Sequence, residues 1–433
     1  MNPLAEELNA IIKKGNSYIY DMLSELGKKL YFPKGILSQS AEASKSAHKY
    51  NATIGIATEG AEPMYLPSAY KFFNGLTPKE LFVYAPAAGI PRLREKWKEK
   101  QIYDNPLLKD KNFSTPIVTN ALTHGLSIIA DLFANPNDTL ILPDKLWGNY
   151  KLIFEVRKEV NIKYFPFYNE GGGFNTAGFQ EILENSATAG KLLILLNFPN
   201  NPTGYSISKS EAKVIVDIIQ KIAKGGCNVI PILDDAYFGL FYEEETLKES
   251  LFGSLANLNE RVLAIKVDGA TKEEFVWGFR VGFITFAAAN TSSDVYSALE
   301  KKTMGAIRGN ISNCPQPSQN IVLKVLESPN FRQEQRTKNE ILKKRAMQVK
   351  EVLKNPKYND VWNLYPFNSG YFMCLELKTV NAEQLRQYLL QKYGIGIISI
   401  NETDIRIAFS CLELNQIPDL FELIYKAIKE LEK

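Results

Sequence analysis

Lys272 lies in the stretch DGATKEEFVWGFRVGF (268–283), directly after Thr271 and eight residues before Arg280. A lysine delivered by an apolar run can offer its amine as a nucleophile toward a carbonyl. The plainer alternative is a solvated lysine paired with Glu273 or Glu274, its immediate neighbours. Two further groups with chemistry follow other apolar runs. NFPNNPTGYS (197–206) carries Asn201, and DDAYFG (234–239) carries Asp234, Asp235 and Tyr237. Taken singly, each is weak: NPTG is also a good turn, and an aspartate at a strand end is also a good helix cap. Their order along the chain, and their shared position after apolar runs, make them a set.

Composition narrows what such a set can do. The chain has 433 residues and only two histidines, His48 and His124. A Ser-His-Asp triad, a histidine-rich metal site and an HExxH helix are therefore poorly supported. Cys227, Cys314, Cys374 and Cys411 stand far apart without a CxxC pair, so neither a zinc site nor a disulfide framework is indicated. No GxxxxGK or GxGxxG follows a strand-like run. A net charge of +3 over this length gives no basis for a nucleic-acid or membrane surface. No apolar run reaches the ~20 residues of a bilayer span. The N-terminal segment is amphipathic and contains acids, unlike a signal peptide, so a cytoplasmic setting is the expectation. Chemistry here should rest on lysine, tyrosine and carboxylates, or on a cofactor.

The elements that must position these residues are legible. Apolar runs occur at TPIVTN (115–120), TLILP (139–143), IKYFPF (162–167), KLLILLNF (191–198), NVIPILDD (228–235) and RVLAIKVDGA (261–270). Several lack polar alternation, as strands buried on both faces do. Helical periodicity separates many of them, as in SKSEAKVIVDIIQKIAKGG (208–226), which ends in a glycine pair suited to a cap. This alternation predicts an α/β fold with a mostly parallel sheet flanked by helices. VGFITF (281–286), after only a short loop, is expected as an antiparallel member. Beyond about residue 320 the pattern changes. A long helix (331–355), strands at 371–377, 395–400 and 405–409, and helices at 381–394 and 417–433 predict a smaller α+β domain. The expected division is an N-terminal segment (1–55) joining the small domain, a large domain (56–325) and a small C-terminal domain (326–433). In open α/β sheets ligands sit beyond the carboxyl ends of the strands, which is where Asn201, Asp234 and Lys272 fall.

Asn201-Pro202-Thr203-Gly204, Asp234-Asp235-Ala236-Tyr237, Thr271-Lys272 and Arg280 together resemble the pattern of the fold-type-I pyridoxal-phosphate enzymes, and within them the class I aspartate and aromatic aminotransferases. The likeness runs from about residue 54 to the C-terminus. It implies a seven-stranded-type sheet and pyridoxal 5'-phosphate as cofactor. It also implies an imine between that aldehyde and Lys272, Asp234 against the pyridine nitrogen, and Asn201 and Tyr237 at the phenolic oxygen. For the phosphate it implies Arg280, the Thr271 hydroxyl, and the turn carrying Leu122 and Thr123. Asp235 should point the opposite way from Asp234 if the strand pleat persists.

PDKLWGNYKLIF (143–154) resembles the family segment whose tryptophan, here Trp147, stacks on the cofactor. FVYAPAAGIPRLREKW (82–97) resembles the one whose tyrosine, here Tyr84, reaches the phosphate of a neighbouring subunit, which implies a homodimer with shared active sites. IGIATEGAEPMYLP (54–67) resembles the loop over the substrate, with Gly55 near its carboxylate. Arg406, in the apolar strand DIRIAFS (404–410), needs an anion partner if buried. It matches the arginine that clamps the substrate α-carboxylate. Arg308, in IRGNISNCPQP (307–317), matches the arginine donated across the dimer to a distal carboxylate; the plain alternative is a cation near a helix end.

The expected activity is transamination between an L-amino acid and a 2-keto acid, of aspartate or glutamate type. A β-lyase or decarboxylase of the same fold uses the same Lys, Asp and Tyr. A regulatory, non-catalytic member of the fold would lack the lysine and carry a basic DNA-binding segment. Two departures from the family pattern stand out: the turn reads Ala121-Leu122-Thr123-His124 where a Gly or Ser is usual, and Gly269 occupies a position where a serine often contacts phosphate, so fewer side-chain donors are expected there.

Overall fold

The computed structural model of the protein describes the chain except Pro33, Lys34, Ala61, Thr188 and Ala189. The apolar runs form a seven-stranded sheet: β1 (Ile117–Asn120), β2 (Thr139–Pro143), β3 (Asn161–Phe165), β4 (Lys191–Asn197), β5 (Asn228–Asp234), β6 (Ala264–Gly269) and β7 (Val281–Ala287). The strand order is β1-β7-β6-β5-β4-β2-β3. β7 pairs antiparallel with both β1 and β6, and the other pairings are parallel. The expected antiparallel strand is therefore present, inserted between β1 and β6.

The unalternating sequence of these strands reflects burial on both faces. In β4, Leu193 and Leu195 enter one apolar cluster, while Leu192, Ile194 and Leu196 enter a second on the opposite face. Edge strand β3 alone in this sheet is mostly exposed. Helices cover the sheet, among them α1 (Pro91–Asp104), which precedes β1, and the crossovers α2 (Ala121–Phe133) and α3 (Lys209–Lys224). Ser208 and Glu211 form a capping box at the start of α3, and the helix stops at the Gly225–Gly226 pair, as its sequence predicts. Two more helices matter for the site: α4 (Ala270–Glu273), a single turn after β6, and α5 (Ser293–Asn310).

The chain then crosses through α6 (Phe331–Leu353) to an antiparallel sheet of β8 (Trp362–Leu364), β9 (Phe372–Leu377), β10 (Ile398–Ser399) and β11 (Asp404–Ala408), in the order β8-β9-β11-β10. Helices α7 (Ala382–Tyr388) and α8 (Gln416–Leu431) cover it. Two expectations need correction. The run at 395–400 is not one strand. Ile395–Gly396 pairs with Tyr50–Asn51, and only Ile398–Ser399 joins this sheet, because the chain leaves one partner to reach the other. The helix at 381–394 is α-helical only to Tyr388 and continues as a π-turn to Tyr393. Among the described residues no helix is long and apolar enough to cross a membrane.

The two sheets meet through the NPTG turn. Gly204 has φ +73°, and its carbonyl accepts the backbone N–H groups of Asn368 (3.0 Å) and Ser369 (2.9 Å). A Cβ on Gly204 would lie 1.9 Å from the carbonyl oxygen of Phe372. Conformation and space both demand glycine. Gly204→Ala should cost about 3 kcal/mol or more, since left-handed strain adds to a backbone clash. Urea denaturation followed by circular dichroism tests this; an unchanged midpoint would refute the packing argument.

Candidate active site

Beyond the carboxyl ends of the parallel strands lies a cavity of about 230 Å³. It is lined by Lys272, Asn201, Asp234, Tyr237, Thr271, Arg280, Trp147, Leu122, Thr123, Arg406 and Gly55. Of the residues singled out from sequence, two lie elsewhere. Tyr84 is 89% exposed, and Arg308, in the last turn of α5, is exposed and donates to Ser312 Oγ.

Each polar group arrives on its own element. β4 ends at Asn197, whose Nδ2 donates to the carbonyl of Asp234 (2.7 Å) and whose Oδ1 accepts the N–H of Asn201 (2.8 Å). The last residue of β5, Asp234, is buried and accepts the Tyr150 hydroxyl (2.6 Å) and the N–H of Ala236 (3.1 Å). Burial raises its carboxyl pKa, and the Tyr150 hydrogen bond, Lys272 and the Ala236 N–H pull it back. Asp235 points away, to Lys266 and to Ser250 Oγ (2.6 Å), as the pleat requires.

Lys272 sits on α4 with its amine 5.1 Å from the Tyr237 ring centroid. Its carbonyl accepts the Tyr371 hydroxyl at 3.0 Å. Enclosure by protein lowers the amine pKa to about 8; Asp234 opposes that shift and the Arg280 charge adds to it. The neighbouring carboxylates do not pair with it. Glu273 is buried against Lys100 of α1 at 2.8 Å, and Glu274 lies 3.6 Å from the same ammonium. The reading of Lys272 as a lysine neutralised by its sequence neighbours therefore fails.

One end of the cavity is built for an anion. Leu122 and Thr123 stand in the first turn of α2, where backbone N–H groups lack intrahelical acceptors. The expected turn is thus already helix. Arg280 donates only to a backbone carbonyl, that of Trp277 (3.2 Å), and has no carboxylate partner among the described residues. The Thr271 hydroxyl is buried without a partner. Gly269 also acquires a reason: a Cβ there would meet the carbonyl oxygen of Val281 at 2.6 Å and Gly282 Cα at 2.7 Å. The close approach of β7 leaves no room for a serine at that position.

At the other end Arg406, on β11, is 1% exposed. Its Nη1 donates to Asn201 Oδ1 (2.9 Å) and its Nη2 to the carbonyl of Thr53 (2.7 Å), while the guanidinium lies 4.1 Å from the Phe372 ring centroid. Its Nε has no partner. Orphaned donors at both ends, a buried carboxylate in the middle, and Trp147 on the wall fit a phosphorylated ring and a carboxylate-bearing substrate. Sequence reasoning missed Tyr150, Phe372 and Ile36, which also line the cavity. Tyr150 had one available signal, its place three residues after Trp147 on the same turn.

The family described as aminotransferase class I and II matches residues 58–424. The mitochondrial aspartate aminotransferase of Schizosaccharomyces pombe is 25% identical over 367 residues, covering 80% of each chain. A probable aspartate/prephenate aminotransferase of Aquifex aeolicus is 25% identical over 329 residues, 73% of this chain and 75% of that one. Among solved structures, an aminotransferase from Anaerococcus prevotii shares the fold with a TM-score of 0.82 at 22% identity, covering 95% of this chain and all of that one. A kynurenine aminotransferase of Pyrococcus horikoshii shares it with a TM-score of 0.79 at 15% identity, covering 96% and 98%. The chain belongs to the class I and II aminotransferases, enzymes whose cofactor is pyridoxal 5'-phosphate.

Proposed function

We propose that the protein moves the amino group of a dicarboxylic L-amino acid to a 2-keto acid, with Lys272 as its catalytic residue. The observation that carries this is the convergence of Lys272, Asp234, Tyr237, Arg280 and Arg406 on one cavity, none of the cations being neutralised by a carboxylate salt bridge among the described residues. Pyridoxal phosphate, when bound, supplies an electron sink for the pair left at the substrate Cα. Asp234 would hold its ring nitrogen. The Tyr237 hydroxyl and Asn201 Nδ2, whose Oδ1 is taken by Arg406, would donate to its ring oxygen. Arg280, Thr271 and the first-turn amides of α2, at Leu122 and Thr123, would hold its phosphate, with Trp147 against the ring.

Arg406 keeps Nε free and can bind the substrate α-carboxylate in a forked contact beside Gly55. That orients the Cα–H bond. Lys272 then takes the α-proton and returns it on the other side of the transfer as general acid. An amine with its pKa lowered to about 8 is a better-populated base near neutrality than an ordinary lysine. A lyase or decarboxylase outcome is not favoured, since the relatives carry aminotransferase names.

We further infer a homodimer with shared sites, and a chain divided near residues 55 and 325. The segment 65–84 exposes Tyr65, Tyr70, Phe73, Phe82 and Tyr84, an apolar content suited to a partner surface. Tyr84 and Arg308 would act in the partner's cavity, Tyr84 at the phosphate and Arg308 at the distal carboxylate.

Lys272→Ala should abolish the lysine-imine absorbance of the holoenzyme and lower turnover by roughly a thousandfold or more; a retained imine band would sink the assignment. The cofactor-free protein gives a second test. Below about pH 8 the folded state bears a buried ammonium. As pH rises from about 8 toward the ordinary lysine value of 10.5, the unfolded chain holds that proton longer, so folding is favoured with rising pH. The stability of cofactor-free Lys272→Met should therefore exceed wild type at pH 7, with the gap closing across that window in urea titrations. A gap independent of pH would contradict it. Arg308→Leu should lower kcat/KM for aspartate about a hundredfold while changing that for an apolar amino acid by less than about threefold. Equal losses would exclude a distal-carboxylate role.

A further inference from the structure

Arg406 is a buried cation with no carboxylate partner among the described residues. Such a charge is costly and will take any anion that geometry allows. β11 itself supplies one. Asp404 lies two residues away, so its side chain leaves the same face of the strand. It is 1% exposed and would compete with a substrate carboxylate for Arg406.

Asp404 is fully engaged elsewhere. Lys145 Nζ donates to its Oδ2 at 2.6 Å. The Tyr365 hydroxyl and Thr403 Oγ1 donate to its Oδ1 at 3.1 Å and 3.2 Å, and Asn401 Nδ2 to its Oδ2 at 3.0 Å. Lys145 also donates to the Tyr365 hydroxyl at 3.1 Å and lies 4.6 Å from that ring's centroid. Lys145 follows β2 by two residues and precedes Trp147 by two, and its carbonyl accepts Asn200 Nδ2 at 3.2 Å. It does not line the cavity, so it is not a substrate ligand. β11 is thus joined to two adjoining loops, the one after β2 and the NPTG turn after β4. Lys145 meets Asp404 as a saturated ion pair, and Asn201 meets Arg406 as a contact that leaves the guanidinium open.

We propose that Lys145 is a positioning residue that sequesters the Asp404 carboxylate and thereby keeps Arg406 free for the substrate carboxylate. This rests on the reading of Arg406 as the carboxylate binder. Removing the Lys145 charge releases Asp404 toward Arg406. Removing the Asp404 charge as well abolishes the competitor.

The test is calorimetric binding of maleate, a dicarboxylate without an amine, to the holoenzyme, together with the KM for L-glutamate. Lys145→Met should weaken maleate at least about tenfold and raise KM with kcat changed less than about twofold; Lys145→Arg should restore wild-type binding. The double variant Lys145→Met/Asp404→Asn should bind maleate within about threefold of Asp404→Asn alone. A purely structural ion pair predicts the reverse: lowered thermal stability with maleate affinity unchanged in the single variant, or a double variant as weak as the single. Either result overturns the proposal. If Lys145→Met does not fold, the comparison of the double variant with Asp404→Asn decides alone, and a tenfold gap between them refutes sequestration. Arg406→Lys separates the two levels of inference. Undiminished maleate binding there would overturn the carboxylate role of Arg406 and the proposal with it. Weakened binding there beside a folded Lys145→Met of wild-type affinity would overturn the sequestration alone.

Discussion

A carboxylate held in the interior at the end of β5 is the constraint from which the site follows. Asp234 is buried, and burial alone would drive it toward its neutral form. Three contacts oppose that: the Tyr150 hydroxyl, the Ala236 N–H and the charge of Lys272. They come from the segments that follow β2, β5 and β6, so the opposition to burial needs all three strands in place. The Asn197–Asp234 hydrogen bond ties β4 to the same point.

Around that anion the protein sorts its other charges by face. Asp235, one residue on, is turned to the opposite side and paired with Lys266. Glu273 and Glu274 follow Lys272 in sequence but are drawn under α1 by Lys100. The structural carboxylates are therefore neutralised behind the site by lysines that never reach the cavity. What remains facing the cavity is one anion, Asp234, and the open donors of Lys272, Arg280 and Arg406. A dianionic phosphate and a carboxylate are the complements such a cavity lacks, which agrees with the chemistry of the family.

The sheet was readable because its strands are buried on both faces: β2, β4 and β5 appear as largely apolar runs bounded by turn residues. The run at 395–400 misled because its four isoleucines read as one strand, yet it serves two different sheets, the first pairing ending at Gly396 and the second starting at Ile398. Leu122 and Thr123 were expected in a turn and lie in the first turn of α2, which Ala121 opens at φ 62°.

The sequence by itself determined which polar residues gather at one cavity. Lys272, Asp234, Tyr237, Asn201 and Arg280 follow strand ends, and strand ends in a parallel sheet share one edge. It also determined that Asp234 and Asp235 face opposite ways, because the pleat has a period of two. Only the tertiary structure decided what each charge meets. Glu273 and Glu274 pair with a lysine more than a hundred and seventy residues away, Tyr150 supplies the hydroxyl to Asp234, and Gly269 is glycine because β7 crosses it closely. Those outcomes depend on distances between elements remote in the chain, set by how helices and strands pack, and local residue order does not encode them.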